Sequence, residues 1–186
     1  MAPITMASLI TPGRIIPSLQ SRDVTHVINQ MAHVAAEEAS LDPYAVQQAV
    51  VARGEHSTFG FGRGVAIPHA ILPGLKQPIG IFARLWLAQD FGSADGTPSD
   101  LAFLLLSPAG DDSSHLRALA CVVRRLRDRE IAECLRSADD ADALYALLIG
   151  NAWRKSDDKT ETGHSATQPA SDLTNEARCT NFNILC

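Results

Sequence analysis

Gly60-Phe61-Gly62-Arg63-Gly64-Val65-Ala66-Ile67-Pro68-His69 sets a glycine-spaced segment directly before an apolar run, a proline and a histidine. The alternating glycines let the backbone bend tightly and come close to a partner or an anion. Val65-Ala66-Ile67 is apolar throughout and predicts a short buried strand. Pro68 has no N–H to give to a sheet ladder, so the strand is expected to stop there. His69 then falls at the lip of a sheet, where α/β proteins tend to meet their ligands. An imidazole in that position can be a nucleophile, a base or a ligand, and the spacing alone does not choose.

On the N-terminal side, Val24, Val27, Ile28, Met31, Val34 and Ala35 recur at helical spacing, with Ser21 or Asp23 as the cap. His26 and His33 fall on the opposite, polar face, and a zinc site there lacks two further local ligands. Asp42-Pro43 reads as the N-cap and first residue of a second helix. Val46, Ala49 and Val50 form its apolar side and Gly54 its stop. On the C-terminal side, Ile79–Leu87 and Leu101–Leu106 read as strands apolar enough to be covered on both faces, with the turn signal Asp95-Gly96 between them. A helix is expected from Ser113 or Ser114, with Leu116, Leu119, Ala120 and Val123 as its core stripe. Arg117, Arg124, Arg125 and Arg127 are placed on its exposed side. Asp128 starts a short helix with Ile131 and Leu135, and a last helix holds Ala143, Leu144, Leu147 and Leu148. Strands interleaved with helices give an α/β fold, a mixed sheet with helices on both faces. From about Lys155 the chain is polar and aperiodic, so residues 155–186 read as a disordered tail.

At 186 residues the chain has room for one domain and a tail. A formal charge of −5 argues against nucleic acid as the main partner. No continuous apolar run is long enough to span a bilayer. The start of the chain, broken by Pro3, Pro12 and Pro17, lacks the pattern of a secretory signal, so the cytoplasm is the expected location. Cys121, Cys134, Cys179 and Cys186 form no C-x-x-C pair, and reduced thiols are expected. The glycine stretch lacks the Gly-Lys-Ser/Thr ending of a nucleotide-binding loop, which argues against a nucleotide-dependent kinase.

Arg53, Thr58 and the run Gly60–His69 together resemble the phosphohistidine segment of the enzyme IIA domains of the fructose, mannitol and nitrogen-regulatory type, in the phosphoenolpyruvate-dependent phosphotransferase system. The resemblance continues through Asp90-Phe91-Gly92-Ser93-Ala94-Asp95-Gly96-Thr97-Pro98 and Asp100–Leu106 to His115-Leu116, and spans about Leu9 to Ile149. The Asp90–Leu106 block looks most like the nitrogen-regulatory branch. The resemblance implies a three-layer α/β/α sandwich with a mixed central sheet, over a domain at 7–150, with no metal and no organic cofactor. It also implies a histidine-containing phosphocarrier protein as donor. Downstream stand regulatory target proteins or a separate IIB domain, with no direct membrane insertion.

The same resemblance makes His69 the phosphoryl acceptor, through Nε2; the residues themselves do not say which nitrogen. A neutral imidazole has a lone pair at neutral pH, since its reference pKa is about 6.5. Phosphoryl transfer then needs positioning and charge stabilisation more than acid–base chemistry. A buried structural histidine is the competing reading. His115 resembles the family's second histidine, able to donate to a phosphoryl oxygen, against a surface histidine near a cap. Arg53 matches an arginine that can grip two phosphoryl oxygens, against a last-turn residue balancing the helix dipole. Thr58 stands at the usual serine position and either bonds the phosphoryl group or caps the turn. Phe59 departs from the family, which usually has threonine there, and Gly54 departs where glutamate is common. Phe59 and Phe61 are either an apolar docking patch for the donor or core residues. Asp90, Asp95 and Asp100 read as turn and capping residues, not as a paired-carboxylate site. Two other functions compete: a sugar-transport IIA component, and a regulatory binding protein without phosphotransfer turnover.

Overall fold

The computed structural model describes residues 3–55 and 57–150, so the tail expected at 155–186 lies outside the described residues, with Cys179 and Cys186. A short helix α1 (Met6–Leu9) leads into strand β1 (Ile15–Leu19), then helices α2 (Val24–Ala39) and α3 (Pro43–Gly54). Four strands follow the short β2 (Gly60–Gly62): β3 (Val65–Ala66), β4 (His69–Leu72), β5 (Ile79–Gln89) and β6 (Ser99–Pro108). The chain closes with α4 (Asp112–Leu126), α5 (Arg129–Ser137) and α6 (Ala141–Ile149). Asp23, not Ser21, caps α2, its carboxylate accepting from the His26 N–H at 2.7 Å. Asp42 and Pro43 open α3, which runs to Gly54 as the sequence leads one to expect.

The sheet runs β1-β5-β6-β3-β2, with β4 also paired to β6. β5 and β6 are antiparallel, while β1, β3 and β4 each lie parallel to their neighbour, so the sheet is mixed. β6 is its centre. Ala102, Leu104 and Leu106 face a cluster with Val27, Met31 and Val50 of α2 and α3. Leu101, Phe103 and Leu105 face the opposite cluster, with Val122, Leu126, Leu135 and Leu144 of the C-terminal helices. An apolar run with both sides covered is what a central strand needs, and the result is the three-layer α/β/α sandwich. Gly80 on β5 leaves the space that the Phe103 ring fills. The double covering of β5 ends at Leu85: Trp86 is 77% exposed and Leu87 62%. Among the described residues, no helix is long and apolar enough to cross a membrane.

β3 stops at Ala66, ahead of Pro68, but pairing with β6 resumes at His69 as β4. Val65 and Ala66 pair with Leu101 and Ala102, and His69 and Ala70 pair with Leu105 and Leu106, in one unbroken register along β6. Proline lacks an N–H but keeps its carbonyl, and the Pro68 carbonyl accepts from the Leu105 N–H at 2.9 Å. The proline therefore interrupts the ladder for a step, and His69 is paired with Leu105 within the sheet, not at its lip.

Helix α4 begins earlier and faces differently from the expectation. Its N-cap is Asp111, whose carboxylate accepts from the Ser114 N–H at 3.0 Å and the Ser113 hydroxyl at 2.8 Å. The Ser114 hydroxyl, with the Ser114 N–H and the Ser113 hydroxyl, holds the Asp111 carboxyl at about 2, below the ordinary range. The buried face is Ser114, His115, Ala118, Val122, Arg125 and Leu126. Leu116 is 63% exposed, and Ala120 is exposed too, while Leu119 and Val123 are only partly covered. Arg125, expected outside, is buried and donates to the Leu147 carbonyl of α6. His115 and Arg125 are drawn inward by partners outside the helix, with Ser114 beside them on the buried face.

Candidate functional site

Three elements converge on one spot. His69 is the first residue of β4, His115 lies in the opening turn of α4, and Arg53 is in the last turn of α3. The two imidazole centroids are 5.5 Å apart, with the rings tilted by 39°. His69 and His115 are both buried.

Nδ1 of His69 lies 2.9 Å from the carbonyl oxygen of Ile67. A carbonyl can only accept, so the proton is on Nδ1 and the lone pair is on Nε2. The intervening Pro68 has a fixed φ, which stiffens this two-residue loop. Arg53 Nε lies 3.5 Å from Nε2, within reach of that lone pair. Burial pulls the His69 pKa below 6.5; the Ile67 carbonyl opposes this and the Arg53 charge adds to it. The imidazole is thus neutral at pH 7, with its free electron pair on Nε2.

His115 donates to or accepts from the hydroxyl of Ser107, its Nδ1 2.9 Å from Oγ. Ser107 is fully buried on β6, opposite Ile71. Burial is the main cause that lowers the His115 pKa, joined by His69 and Arg53, with Asp112 opposing. Ser107 was not among the sequence candidates. Its only signal is that it is the first hydroxyl after the apolar run of β6.

Thr58 is not drawn into this cluster by any hydrogen bond. It is exposed, its hydroxyl has no hydrogen-bond partner among the described residues, and its methyl packs beside Gly92. Phe59 is a core residue and not part of a docking patch: its ring is buried and stands 5.6 Å from the His69 imidazole at 73°. Phe61 is 37% exposed. Among the described residues, no group of three or more His, Cys, Asp or Glu side chains is placed to hold a metal ion.

The family model for "Phosphoenolpyruvate-dependent sugar phosphotransferase system, EIIA 2" matches residues 8–150. The chain belongs to this phosphotransfer family. It is 43% identical over 146 residues to the nitrogen regulatory protein of Bradyrhizobium diazoefficiens, covering 78% of this chain and 94% of that one. It is 34% identical over 147 residues to the nitrogen regulatory protein of Pseudomonas aeruginosa, covering 78% and 96%. The crystal structure of nitrogen regulatory protein IIA-Ntr from Neisseria meningitidis superposes with a TM-score of 0.72 at 27% identity, over 77% of this chain and 98% of that one. The nitrogen-regulatory branch is therefore the side of the EIIA family on which this chain lies.

In this EIIA domain the glycine stretch does not cradle the histidine. It forms the β2–β3 turn at the far end of β3, where Gly62, Arg63 and Gly64 all have left-handed backbones, at φ 85°, 57° and 77°. Two carboxylates hold that turn. Asp95 accepts from the Arg63 N–H at 2.8 Å, the Ser93 hydroxyl at 2.6 Å and the Thr97 N–H at 3.0 Å. Asp100 takes two bonds from Arg136, at 2.7 and 2.8 Å, and Arg136 also donates to the Arg63 carbonyl at 2.9 Å. Asp90 accepts from the Gly92 N–H at 2.9 Å. These carboxylates shape turns, as the sequence reading has it. The close approach made by the glycines is to the protein itself, Gly60 lying against the backbone of Ser93.

Proposed function

We propose that this protein is a phosphohistidine carrier of the phosphotransferase system that acts in nitrogen or metabolic regulation. The observation that carries the reading is the bond from His69 Nδ1 to the Ile67 carbonyl, which leaves the Nε2 lone pair as the nucleophile. A histidine-containing phosphocarrier protein is the donor. In transfer, Nε2 attacks phosphorus in line, the new P–N bond forms as the donor's P–N bond breaks, and the donor ring leaves with its electron pair. Charge on the phosphoryl oxygens is met by Arg53, which turns from the lone pair to the group that replaces it, and by His115. Thr58 is the nearest hydroxyl in sequence to assist. The phosphotransfer unit is assigned to residues 7–150, and the cytoplasm is the compartment this chemistry calls for. Phosphorylation adds about −1.5 to −2 charge at the site, enough to change which regulatory targets bind there.

A sugar-transport role is favoured by one comparison. The fructose-specific EIIA component of Haloferax volcanii is 30% identical over 148 residues, covering 78% of this chain and 96% of that protein. In that reading the group passes to a separate IIB domain. The test is intact-mass and site-mapping spectrometry after incubation with phosphoenolpyruvate and the host's phosphotransferase proteins. One acid-labile phosphoryl group on His69, absent from His69→Ala, is expected. No phosphorylation would leave a regulatory protein that works by binding alone.

A further inference from the structure

Gly54 and Phe59, the two departures from the family pattern near the glycine stretch, touch each other. A Cβ built on Gly54 would lie 2.9 Å from Cε2 and 3.3 Å from Cζ of Phe59. Carbon atoms pack best at about 3.5–4.0 Å, so the phenyl ring occupies the place where any side chain at 54 would begin. The same ring stands edge-on to the imidazole of His69, at a centroid distance within the favourable range for such pairs. The backbone of Phe59 is tied to the same histidine. Its N–H donates to the Phe91 carbonyl at 3.2 Å and its carbonyl accepts from the Ile67 N–H at 2.8 Å. Ile67 is the residue whose carbonyl takes the His69 Nδ1 proton. Phe59 thus reaches His69 by two routes, one through its ring and one through a chain of two hydrogen bonds.

We infer that Phe59 is a positioning residue for His69: its ring, seated in the space Gly54 leaves empty, fixes the imidazole in the orientation that binds Nδ1 to Ile67 and keeps water from one side of it. The inference rests on His69 being the phosphoryl acceptor. The ring also contributes to the desolvation that keeps the imidazole neutral. The other groups that bear on the charge of His69 are Arg53 from α3 and His115 from α4, with Asp112 acting on His115. None of these side chains is itself altered when Phe59 alone is changed.

The test is a pH titration of the unphosphorylated protein by imidazole nitrogen NMR, with phosphorylation rates measured on the same samples. Wild type, Phe59→Thr, Phe59→Leu and Gly54→Ala are compared. Phe59→Thr is expected to raise the His69 pKa, to mix Nε2–H with the Nδ1–H tautomer, and to slow phosphorylation several-fold. Phe59→Leu keeps apolar volume and protects the fold; it is expected to keep the lowered pKa but still to show tautomer mixing and a slower rate. Gly54→Ala displaces the ring and is expected to mimic Phe59→Thr, with no added effect when the two are combined. A folded Phe59→Leu protein with the wild-type tautomer signature and rate would overturn the inference, and so would full additivity of the Gly54 and Phe59 changes. If the wild type accepts no phosphoryl group while the titrations separate as stated, the acceptor reading falls and the positioning stands.

Discussion

Arg53 points its Nε at Nε2 of His69, 3.5 Å away, so the resting protein sets its cation against the one atom of the imidazole that carries a lone pair. In the proposed transfer the guanidinium has to leave that position as the phosphoryl group arrives, and a planar fork can then hold two oxygens where a lysine holds one. Arg53→Lys should therefore slow phosphorylation several-fold while leaving the unfolding midpoint unchanged, since the side chain sits at the end of α3 and contributes little packing. Rapid-quench transfer kinetics beside a denaturant titration would check both halves. Normal kinetics in the lysine variant would exclude the fork.

The two buried imidazoles predict a pH dependence of stability with a definite sign. Both have folded pKa values below 6.5. Between the folded value and about 6.5 the unfolded chain binds more protons than the folded one. Stability is therefore undiminished above about pH 6.5 and falls as the pH drops through that value towards the folded pKa. Thermal melts of the wild type between neutral and mildly acidic pH should show this loss, and a variant with both histidines replaced by asparagine should show less of it. Phosphorylation of the folded wild type should fade at more acidic pH, only as the lowered folded pKa of His69 is reached, because a protonated imidazole has no lone pair.

Ser107→Ala removes the hydroxyl that meets His115 Nδ1 inside the protein. A buried polar atom left without its partner costs about 1–3 kcal/mol. The expected result is a loss of stability in that range by urea unfolding, with transfer slowed because His115 can turn. Ser107→Thr, which keeps the hydroxyl, should recover the rate better than alanine.

Gly80→Ala should be more damaging than its small size suggests. The added methyl meets the ring of Phe103, a fully buried residue at the centre of the sheet. Overpacking of this kind costs about 1–3 kcal/mol. Phe103→Leu in the same chain should restore part of that loss, and a melting experiment on the three variants would measure it.

The parts of this protein that were legible in its sequence are those where local chemistry and tertiary role agree. Leu101–Leu106 is apolar on both faces and is the central strand. Asp42-Pro43 carries its cap and first turn in two adjacent residues. His69, His115 and Arg53 were legible through their motif, and the fold brings the three together. The misses have physical causes. β1 is five residues long with Pro17 inside it, and β2 is two glycines around Phe61, so neither offers a periodic signal. β4 was hidden because a missing N–H at Pro68 looks like a strand end when only the ladder donor is considered. The phase of α4 departs from the sequence pattern because His115 and Arg125 face inward, each bonded to a partner outside the helix, with Ser114 on the same buried face. Thr58 holds a motif position, yet its hydroxyl has no hydrogen-bond partner among the described residues.

The site draws on all three layers at once. Arg53 comes from a helix packed on one side of the sheet, His69 from the sheet itself, and His115 from a helix packed on the other side. No fragment of the chain contains it. A molecule in which either helical layer has come loose still has its imidazole, but without the guanidinium or without the second ring. On the proposed function, competence for transfer is a readout of complete folding, and a donor protein that modifies only the assembled site would leave partly folded copies unmarked.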